Sequence, residues 1–417
     1  MVLKSYRPLL SVPYLIGLFV WSLIARLNIA ALPIGITFLV ADWTGSYALA
    51  GAVSTTLTIG AAVAGPLRGR SADRGRTDRL MALCGLCYGA GLLVIALLPA
   101  SLWWAAFPLG LVTGLFTPPA SQVARALWPR LTSGQTRTAM YAAESTFQEL
   151  VFVLGPLLAA ATVAVSGGKG AVLLVAALSI AGSFGFAWQI YRSGLAFPPQ
   201  PGPASPTQRR RSLLLQPELT LLVVVCMLLI AGLASVDLVI VAWAREIGRP
   251  GVAGVLAAFW SIGSLVGGLV AGALAGPPRL SRRAFAAAAG TAMLIPLLPP
   301  VLELPSPWLL LPVLFVAGLA IAPTLAAATE RIGEVAPSDR RAEAFGWMNT
   351  GITTGVAFSA PLSGWLVDVG GPALGVVGGA VIVLLSAFCT LAVGSGSPGE
   401  KTHPVADGPD SGNGTPQ

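Results

Sequence analysis

Long apolar stretches recur along the whole chain, separated by short segments rich in arginine, glycine and proline. A helix needs about 20 mostly apolar residues to cross a membrane. Twelve stretches reach that length, at residues 13–40, 46–67, 80–100, 102–124, 138–164, 171–191, 217–243, 251–275, 284–302, 307–328, 345–367 and 372–394. Membrane β-strands would be about 10 residues long and would alternate polar with apolar positions. The pattern therefore predicts an all-α integral membrane protein with twelve transmembrane helices.

The composition indicates that lipid is the main solvent of this chain. Of its 417 residues, 55% are hydrophobic and 10% are charged, whereas soluble domains carry about 25% charged residues. A single histidine, His403, and four cysteines within apolar stretches form no cluster that predicts a metal site. The loops contain no paired nucleophile and base and no phosphate-binding loop. We therefore expect no enzymatic activity, no metal and no cofactor.

Lysine and arginine residues are distributed unequally between alternate loops. Cytoplasmic loops of membrane proteins collect these residues. With the N-terminus inside, 21 of the 25 lie in inner segments, three lie in outer loops (Lys169, Arg245 and Arg249) and Arg26 lies within the first span. The net charge of +8 then reflects topology, and we expect no nucleic-acid partner. We predict a multi-pass protein of the cytoplasmic membrane with both termini in the cytoplasm.

A polar segment between the sixth and seventh stretches divides the chain in two. Residues 192–216 contain five prolines followed by three consecutive arginines, a composition typical of a semi-extended spacer. We predict an N-terminal six-helix bundle at residues 1–191, a cytoplasmic linker at 192–216 and a C-terminal six-helix bundle at 217–394. The tail at 395–417, rich in glycine, proline and serine, is predicted to be disordered in the cytoplasm.

The two halves also share a sequence repeat. Gly114-Leu-Phe-Thr-Pro-Pro119 matches Gly318-Leu-Ala-Ile-Ala-Pro323 at an offset of 204 (318 − 114), and Arg137 matches Arg341 at the same offset. A duplicated bundle predicts a pseudo-two-fold axis along the membrane normal, with a binding site at the midplane between the halves. This is the architecture of a transporter rather than of a channel.

The loop after the second stretch reads Gly69-Arg-Ser-Ala-Asp73-Arg74-Gly75-Arg76-Thr-Asp78-Arg79. Its glycines permit close helix approach, and Asp73 can cap a helix or pair with a guanidinium. The run resembles the cytoplasmic signature Gly-x-x-x-Asp-Arg-x-Gly-Arg-Arg of the major facilitator superfamily, without the spacer before Gly75. The resemblance implies the two-bundle fold of that family, and a cytoplasmic gate formed by Gly69, Asp73, Arg74, Gly75 and Arg76. For Arg68, Arg76 and Arg79 we favour topology anchoring.

A second resemblance lies in the fifth span. Gly155-Pro156 is similar to the Gly-Pro signature of the drug/proton antiporters of that superfamily, although Ala159 and Ala160 stand where the signature has two glycines. The resemblance implies proton-coupled efflux. Pro156, and Pro361 at the matching position of the second half, are expected to bend their helices, because proline removes a backbone hydrogen bond.

Ionisable side chains at membrane depth are costly unless they are paired or hydrated, and they mark functional sites. Four residues qualify: Arg26, Glu144, Glu149 and Asp237. At about 1.5 Å per residue, Arg26 and Glu149 both lie near the centre of the bilayer, where an ion pair between them could form. Gln148 shares a helix face with Glu144.

The matching stripe on the eleventh span is uncharged, with Asn349, Thr350, Thr353 and Thr354. One half would then carry charge coupling while the other hydrogen-bonds the substrate, although polar contacts that only hold helices together would look similar.

Together these features predict a monomeric secondary active transporter in the lipid bilayer, exporting a small, partly apolar organic molecule in exchange for protons by alternating access. A buried carboxylate that binds a proton on one side and releases it on the other would couple the two fluxes, with Glu149 the first choice and Glu144 the next. One alternative is an importer or uniporter of a sugar or other metabolite. The other is a membrane sensor or assembly factor of transporter fold that moves nothing.

Overall fold

The computed structural model describes residues 2–197, 212–273, 279–302 and 304–393. Most of the predicted linker and all of the predicted tail lie outside these ranges. Within them the chain forms fourteen α-helices and no β-strand. The helices are α1 (Val2–Ser11), α2 (Leu15–Ile24), α3 (Leu27–Thr44), α4 (Tyr47–Arg74), α5 (Thr77–Leu97), α6 (Ala106–Leu115), α7 (Ala120–Leu131), α8 (Gly134–Arg192), α9 (Pro217–Glu246), α10 (Pro250–Ala273), α11 (Leu280–Ala292), α12 (Leu311–Gly318), α13 (Ile321–Val335) and α14 (Arg341–Leu391).

Nine helical segments among the described residues are long and apolar enough to cross a membrane. Two of them, α8 with 59 residues and α14 with 51, are far longer than the roughly 20 residues that one crossing needs. Each turns at a glycine in the left-handed region, Gly167 (φ 67°) in α8 and Gly371 (φ 75°) in α14. Each therefore holds two spans. Counted together with the 13-residue helix α11, these segments are consistent with twelve spans.

Three spans that we predicted as continuous helices are interrupted within the described residues. The first is split between α2 and α3 at Arg26, the fourth between α6 and α7 at residues 116–119, and the tenth between α12 and α13 at residues 319–320. In the fourth span the cause is Pro118-Pro119, because neither proline has a backbone N–H to continue the helical ladder. Breaks of this kind expose backbone groups at membrane depth and commonly line sites in transporters.

Helix packing repeats between the halves, as the sequence repeat predicted. Gly60 of α4 faces the carbonyl of Leu111, and Gly263 of α10 faces the carbonyl of Phe315, so closely that a Cβ would collide with either oxygen. The two glycines are 203 residues apart (263 − 60) and the two carbonyls 204 (315 − 111). The same pair of helices thus packs through the same contact in each half.

Buried apolar side chains form three clusters, and their positions show where the halves meet. One cluster joins both halves and includes Trp128 and Tyr141 from the first and Phe345 and Met348 from the second. The other two clusters are confined to one half each. We call the end at which the shared cluster lies, where α4 ends and α14 begins, the closed end.

Candidate functional site

Glu144 lies at the centre of a buried cluster of charges in the first half. Its Oε1 atom lies 2.9 Å from Nη1 of Arg26 and 2.9 Å from Nε of Arg125. Its Oε2 atom accepts a hydrogen bond of 2.6 Å from Nε1 of Trp128. Arg26 and Glu144 are each 1% exposed. Since these side chains come from the α2–α3 break, α7 and α8, a single carboxylate ties three spans together.

The ion pair considered between Arg26 and Glu149 is not the one that the structure contains. Arg26 pairs with Glu144 and also donates a hydrogen bond of 3.3 Å to Oε1 of Gln148. Glu144 and Gln148 are four residues apart and share a helix face, whereas Glu149 lies on the adjacent face. Depth along the helices does not distinguish Glu144 from Glu149 as a partner of Arg26, because the rotation of α8 selects between them.

Glu149 contacts the second half of the chain instead. Its Oε1 atom accepts a hydrogen bond of 2.9 Å from Oγ of Ser264 on α10, and the same Oγ accepts a bond of 3.2 Å from the backbone N–H of Ala322. Asp237 of α9 is exposed. Glu149 therefore differs from Glu144 in that its hydrogen-bond partner belongs to the other half.

Arg68, which we interpreted as a topology anchor, is instead buried within the bundle at 7% exposure. Its Nη1 atom donates to the carbonyls of Gly114 (3.0 Å) and Leu115 (2.7 Å), and its Nη2 atom donates to that of Ala61 (2.7 Å). In a regular helix the first two carbonyls would bond the N–H groups four residues on, where Pro118 and Pro119 have none. The carbonyl of Gly114 also accepts from the backbone N–H (3.1 Å) and the hydroxyl (2.9 Å) of Thr117. Arg68 thus replaces the hydrogen bond that Pro119 removes from Leu115 and adds one at Gly114.

A cavity of about 190 Å³ lies beside this guanidinium. Fifteen of its seventeen lining residues belong to the first half, and the other two are Asn349 and Thr353 of the second. The polar members from the first half are Asn28, Ser54, Thr58, Arg68, Tyr88, Thr117, Ser121 and Gln122. Asn349, a candidate from the polar stripe of the eleventh span, thus lies at the cavity. The charge cluster of Glu144, by contrast, is not part of the cavity lining.

At the closed end, Asp73 binds the N-terminus of a helix in the other half. Its carboxylate accepts hydrogen bonds from the backbone N–H groups of Ala342 (3.0 Å) and Glu343 (2.8 Å), in the first turn of α14. The first N–H groups of a helix have no partner within the helix and carry a partial positive charge. Asp73 therefore caps α14 across the boundary between the halves. Glu343 in turn lies 2.7 Å from Nη2 of Arg70.

Glycines allow α4 and α14 to touch through their backbones. A Cβ on Gly69 would collide with the carbonyl of Ala342, and one on Gly346 would lie 2.7 Å from the carbonyl of Gly65. Next to this contact, Thr350 donates a hydrogen bond of 2.8 Å to the carbonyl of Ala62. That carbonyl has no helical partner, because the residue four positions on is a proline.

The other predicted gate residues do not take part in this contact. Arg74 is exposed, and Gly75 caps the end of α4. Arg76 pairs with Asp78 of its own half at 2.6 Å, and the bonding raises the pKa of the Arg76 guanidinium. It also lies over the ring of Phe197. Of the five residues, the structure therefore brings Gly69 and Asp73 to the boundary between the halves.

Pro156 and Pro361, expected to bend their helices, lie inside α8 and α14. Helical backbone angles continue through both prolines, and the residues of α8 and α14 that leave the helical region are Gly167, Gly370 and Gly371. Gly155, next to Pro156, packs closely against Ala30 and Ala31 of α3. The Gly-Pro pair therefore lies at a contact between helices of the first half.

The sequence reasoning did not single out three residues that the structure places at the boundary or the cavity: Glu343, Ser264 and Gln122. Glu343 was placed outside the spans, and the other two are uncharged. Two features of the sequence could have indicated the regions in which these residues lie. Pro66 and Pro118-Pro119 each leave a carbonyl at a known position without its helical N–H donor, which predicts another donor nearby.

Comparisons with known proteins bear on the family and the fold. The sequence matches the family described as Major Facilitator Superfamily over residues 18–244 and 220–411. No curated protein matches it. Among solved structures, the chain is similar to a bacterial homologue of the iron transporter ferroportin in the outward-facing state, with a TM-score of 0.71, 13% identity, and coverage of 91% of this chain and 98% of that one.

Two further solved structures are similar over most of their length. The human organic anion transporter MFSD10 has a TM-score of 0.66 and 16% identity, covering 92% of this chain and 99% of that one. The E. coli fucose:proton symporter FucP has a TM-score of 0.70 and 12% identity, covering 93% and 99%. At these identities the likeness concerns the fold alone.

Proposed function

The chain belongs to the major facilitator superfamily, and we propose that it is a secondary active transporter that exports a small organic solute in exchange for protons by alternating access. The observation that carries this proposal is the cavity between halves that share a buried core at one end. At the other end the halves keep separate cores. A solute held between two such bodies can reach one side of the membrane at a time.

The loop charges assign a direction to this arrangement. With the predicted topology, the closed end would face the cytoplasm, and this supports an assignment to a state that is shut toward the cytoplasm. We propose that residues 1–191 and 217–394 move as two bodies joined by the linker at 192–216. Opening the cytoplasmic side then requires Asp73 to release the first turn of α14, and α4 to separate from α14 at Gly69.

Glu149 is our candidate for the proton-coupling group, because its hydrogen-bond partner lies in the other half of the chain. Its hydrogen bond with Ser264 joins the halves and must break or change when they move apart. An ionised carboxylate only accepts hydrogen bonds, whereas a protonated one can also donate. Protonation of Glu149 would therefore alter its contact with Ser264 and with it the contact between the halves. Glu144 is saturated by two guanidiniums and an indole, which suits a structural role better.

Inverted membrane vesicles with an acidified interior test the proposal. An exported solute that exchanges for protons dissipates the gradient, which an entrapped pH dye reports as each compound of a panel of carboxylates, sugars and apolar drugs is added. We expect one class of compound to collapse the gradient in the wild type, and Glu149→Gln to abolish the response.

Asp42→Asn is the matched control, because Asp42 is an exposed carboxylate at the end of α3. It should leave the dye response unchanged. If solute flux does not depend on the pH gradient in either the wild type or Glu149→Gln, the proposal of proton coupling is wrong. Facilitated diffusion would then be the mechanism.

A further inference from the structure

We propose that the cavity beside Arg68 binds a small organic anion, with Arg68 as its charge partner. The identification of that anion as the transported solute rests on the proposed function, whereas its binding does not. The proposal starts from the donors of Arg68. A guanidinium has five N–H donors, and three hydrogen bonds to carbonyls occupy three of them.

Three buried polar atoms without a partner in the described part of the chain belong to residues that line the cavity. Among the described residues, no protein group hydrogen-bonds Nε of Arg68, Oγ of Ser54 or Oε1 of Gln122, and all three atoms are buried. Arg68 is 7% exposed and Gln122 is 3% exposed. All three residues line the cavity. Buried polar atoms of this kind normally have a partner, and a ligand toward which these side chains turn would supply one.

The charges around the cavity determine the sign of the charge that a ligand can carry. In the part of the chain that the structure describes, no carboxylate lies within ion-pair distance of Arg68, since its close contacts are neutral carbonyls. The cluster of Arg26, Arg125 and Glu144, two members of which lie within three residues of the lining residues Asn28 and Gln122, has one guanidinium more than it has carboxylates. A cationic solute would be repelled by both, whereas an anion gains a charge-assisted hydrogen bond from Arg68.

The rest of the lining fixes the size and character of the solute. The volume of about 190 Å³ is below the roughly 300–1,000 Å³ of sites for drug-sized ligands. Apolar walls come from Ile29, Leu32, Pro33 and Leu57. A small carboxylate with a short apolar body matches the guanidinium, the walls and the volume together. This narrows the partly apolar solute of the proposed function to an acid of small size.

Binding can be measured as a ligand-induced shift of the thermal unfolding temperature of the full-length protein in detergent. The probes are acetate, butyrate, hexanoate and benzoate, each compared with its primary amide. We expect at least one acid to raise the unfolding temperature while its amide, which has nearly the same shape and no charge, does not.

Two glutamine-to-glutamate substitutions, which change the net charge equally, distinguish an effect at the cavity from an effect at the protein surface. Gln122→Glu places a carboxylate beside Arg68 and should weaken binding of the acid by about tenfold or more, because the new charge both repels the ligand and occupies the guanidinium. Gln135→Glu makes the same change at an exposed position at the start of α8 and should leave the affinity unaltered. Arg68→Gln should also abolish binding, but the loss of its carbonyl bonds can unfold the protein.

The inference is overturned if none of the four acids shifts the unfolding temperature, if the amides act as strongly as the acids, or if Gln122→Glu binds the acid as tightly as the wild type. Failure of the proposed function has a different outcome. Acid binding that Gln122→Glu removes, together with vesicles in which the same acid never moves protons, would leave the site in place and remove the coupled transport.

Discussion

The carboxylate of Asp73 lies 2.8 Å from the backbone nitrogen of Glu343, so the first half of the chain supplies the N-terminal cap of a helix in the second half. The residue at the cap position of that helix, Arg340, has only donors in its side chain and cannot accept from these N–H groups. The first turn of α14 therefore depends on a residue that leaves it whenever the closed end opens.

Replacing Asp73 by asparagine should favour opening of the closed end. One acceptor oxygen becomes an amide NH₂ group that faces a backbone N–H, and the charge that complements the helix dipole is lost, which together cost about 1 kcal/mol or more. Spin labels on cysteines at the exposed positions Arg74 and Ser338 should report a longer distance between the halves. Asp78→Asn breaks a pair within the first half and should not change this distance.

Replacing Gly69 by alanine should prevent full closure, because the added methyl group would collide with the carbonyl of Ala342. The same spin-label pair should show a longer distance and a broader distribution. Gly51→Ala is the control within the same helix, since open space surrounds a Cβ at Gly51. In helix propensity both changes should be favourable by about 1 kcal/mol, so a loss confined to Gly69→Ala is steric. Equal distances in the two variants would contradict the backbone contact.

Removing the charge of Glu144 should destabilise the protein far more than removing that of Glu149. Glu144→Gln leaves Arg26 and Arg125 buried without a carboxylate, and breaking a buried pair in this way costs about 3–5 kcal/mol. Glu149 is only partly buried and has one hydroxyl partner. The unfolding temperatures of the two glutamine variants in detergent decide the point, and a larger loss for Glu149→Gln would refute the central role of Glu144.

Arg68 and the Pro118-Pro119 pair should be energetically coupled. Arg68→Leu leaves the carbonyl of Leu115 without its donor and removes one of the donors to Gly114, which should destabilise the fold. With both prolines changed to alanine, backbone N–H groups can take over these carbonyls, and Arg68→Leu should then cost less, by about 0.5–3 kcal/mol. Thermal unfolding of the four proteins of this cycle measures the coupling. Strict additivity would mean that the guanidinium does not replace the missing N–H groups.

Cysteine labelling in intact cells tests the predicted topology. A membrane-impermeant maleimide should label a cysteine at Gly248, between the seventh and eighth spans, but not at Ser205 in the linker or at Thr402 in the tail. The latter two should become reactive after permeabilisation. Labelling of position 205 and of position 402 on opposite faces of the membrane would contradict an even number of spans between them, and with it the twelve-span arrangement.

The all-helical membrane fold, and a span count with which the structure is consistent, could be predicted from sequence because they depend on stretch length and loop charge. Gly69 and Asp73 were singled out by the resemblance to the cytoplasmic signature, and the structure places both at the boundary between the halves. The partner of Arg26 could not be predicted in this way. Glu144 and Glu149 differ by one residue, and the rotation of α8 alone selects between them.

Arg68 illustrates a different limit. Hydropathy places an arginine at the end of an apolar stretch in the loop, because a window average does not register carbonyls left free on another span. The relevant signal was nevertheless in the sequence, in Pro118 and Pro119. The same holds for Thr350, whose acceptor is the carbonyl freed by Pro66. A count of the carbonyls that lose their helical N–H partner to a proline would have predicted a buried donor near Pro66 and another near Pro118-Pro119.

The uneven construction of the cavity has a consequence for the order of events during a transport cycle. Because fifteen of its seventeen lining residues belong to the first half, a bound molecule has nearly all of its partners on one body. The first half could therefore move with the ligand bound and keep nearly all of its contacts to that ligand. The second half, which contributes Asn349 and Thr353, would close one side of the cavity, and its movement away from the first half would determine when the ligand dissociates.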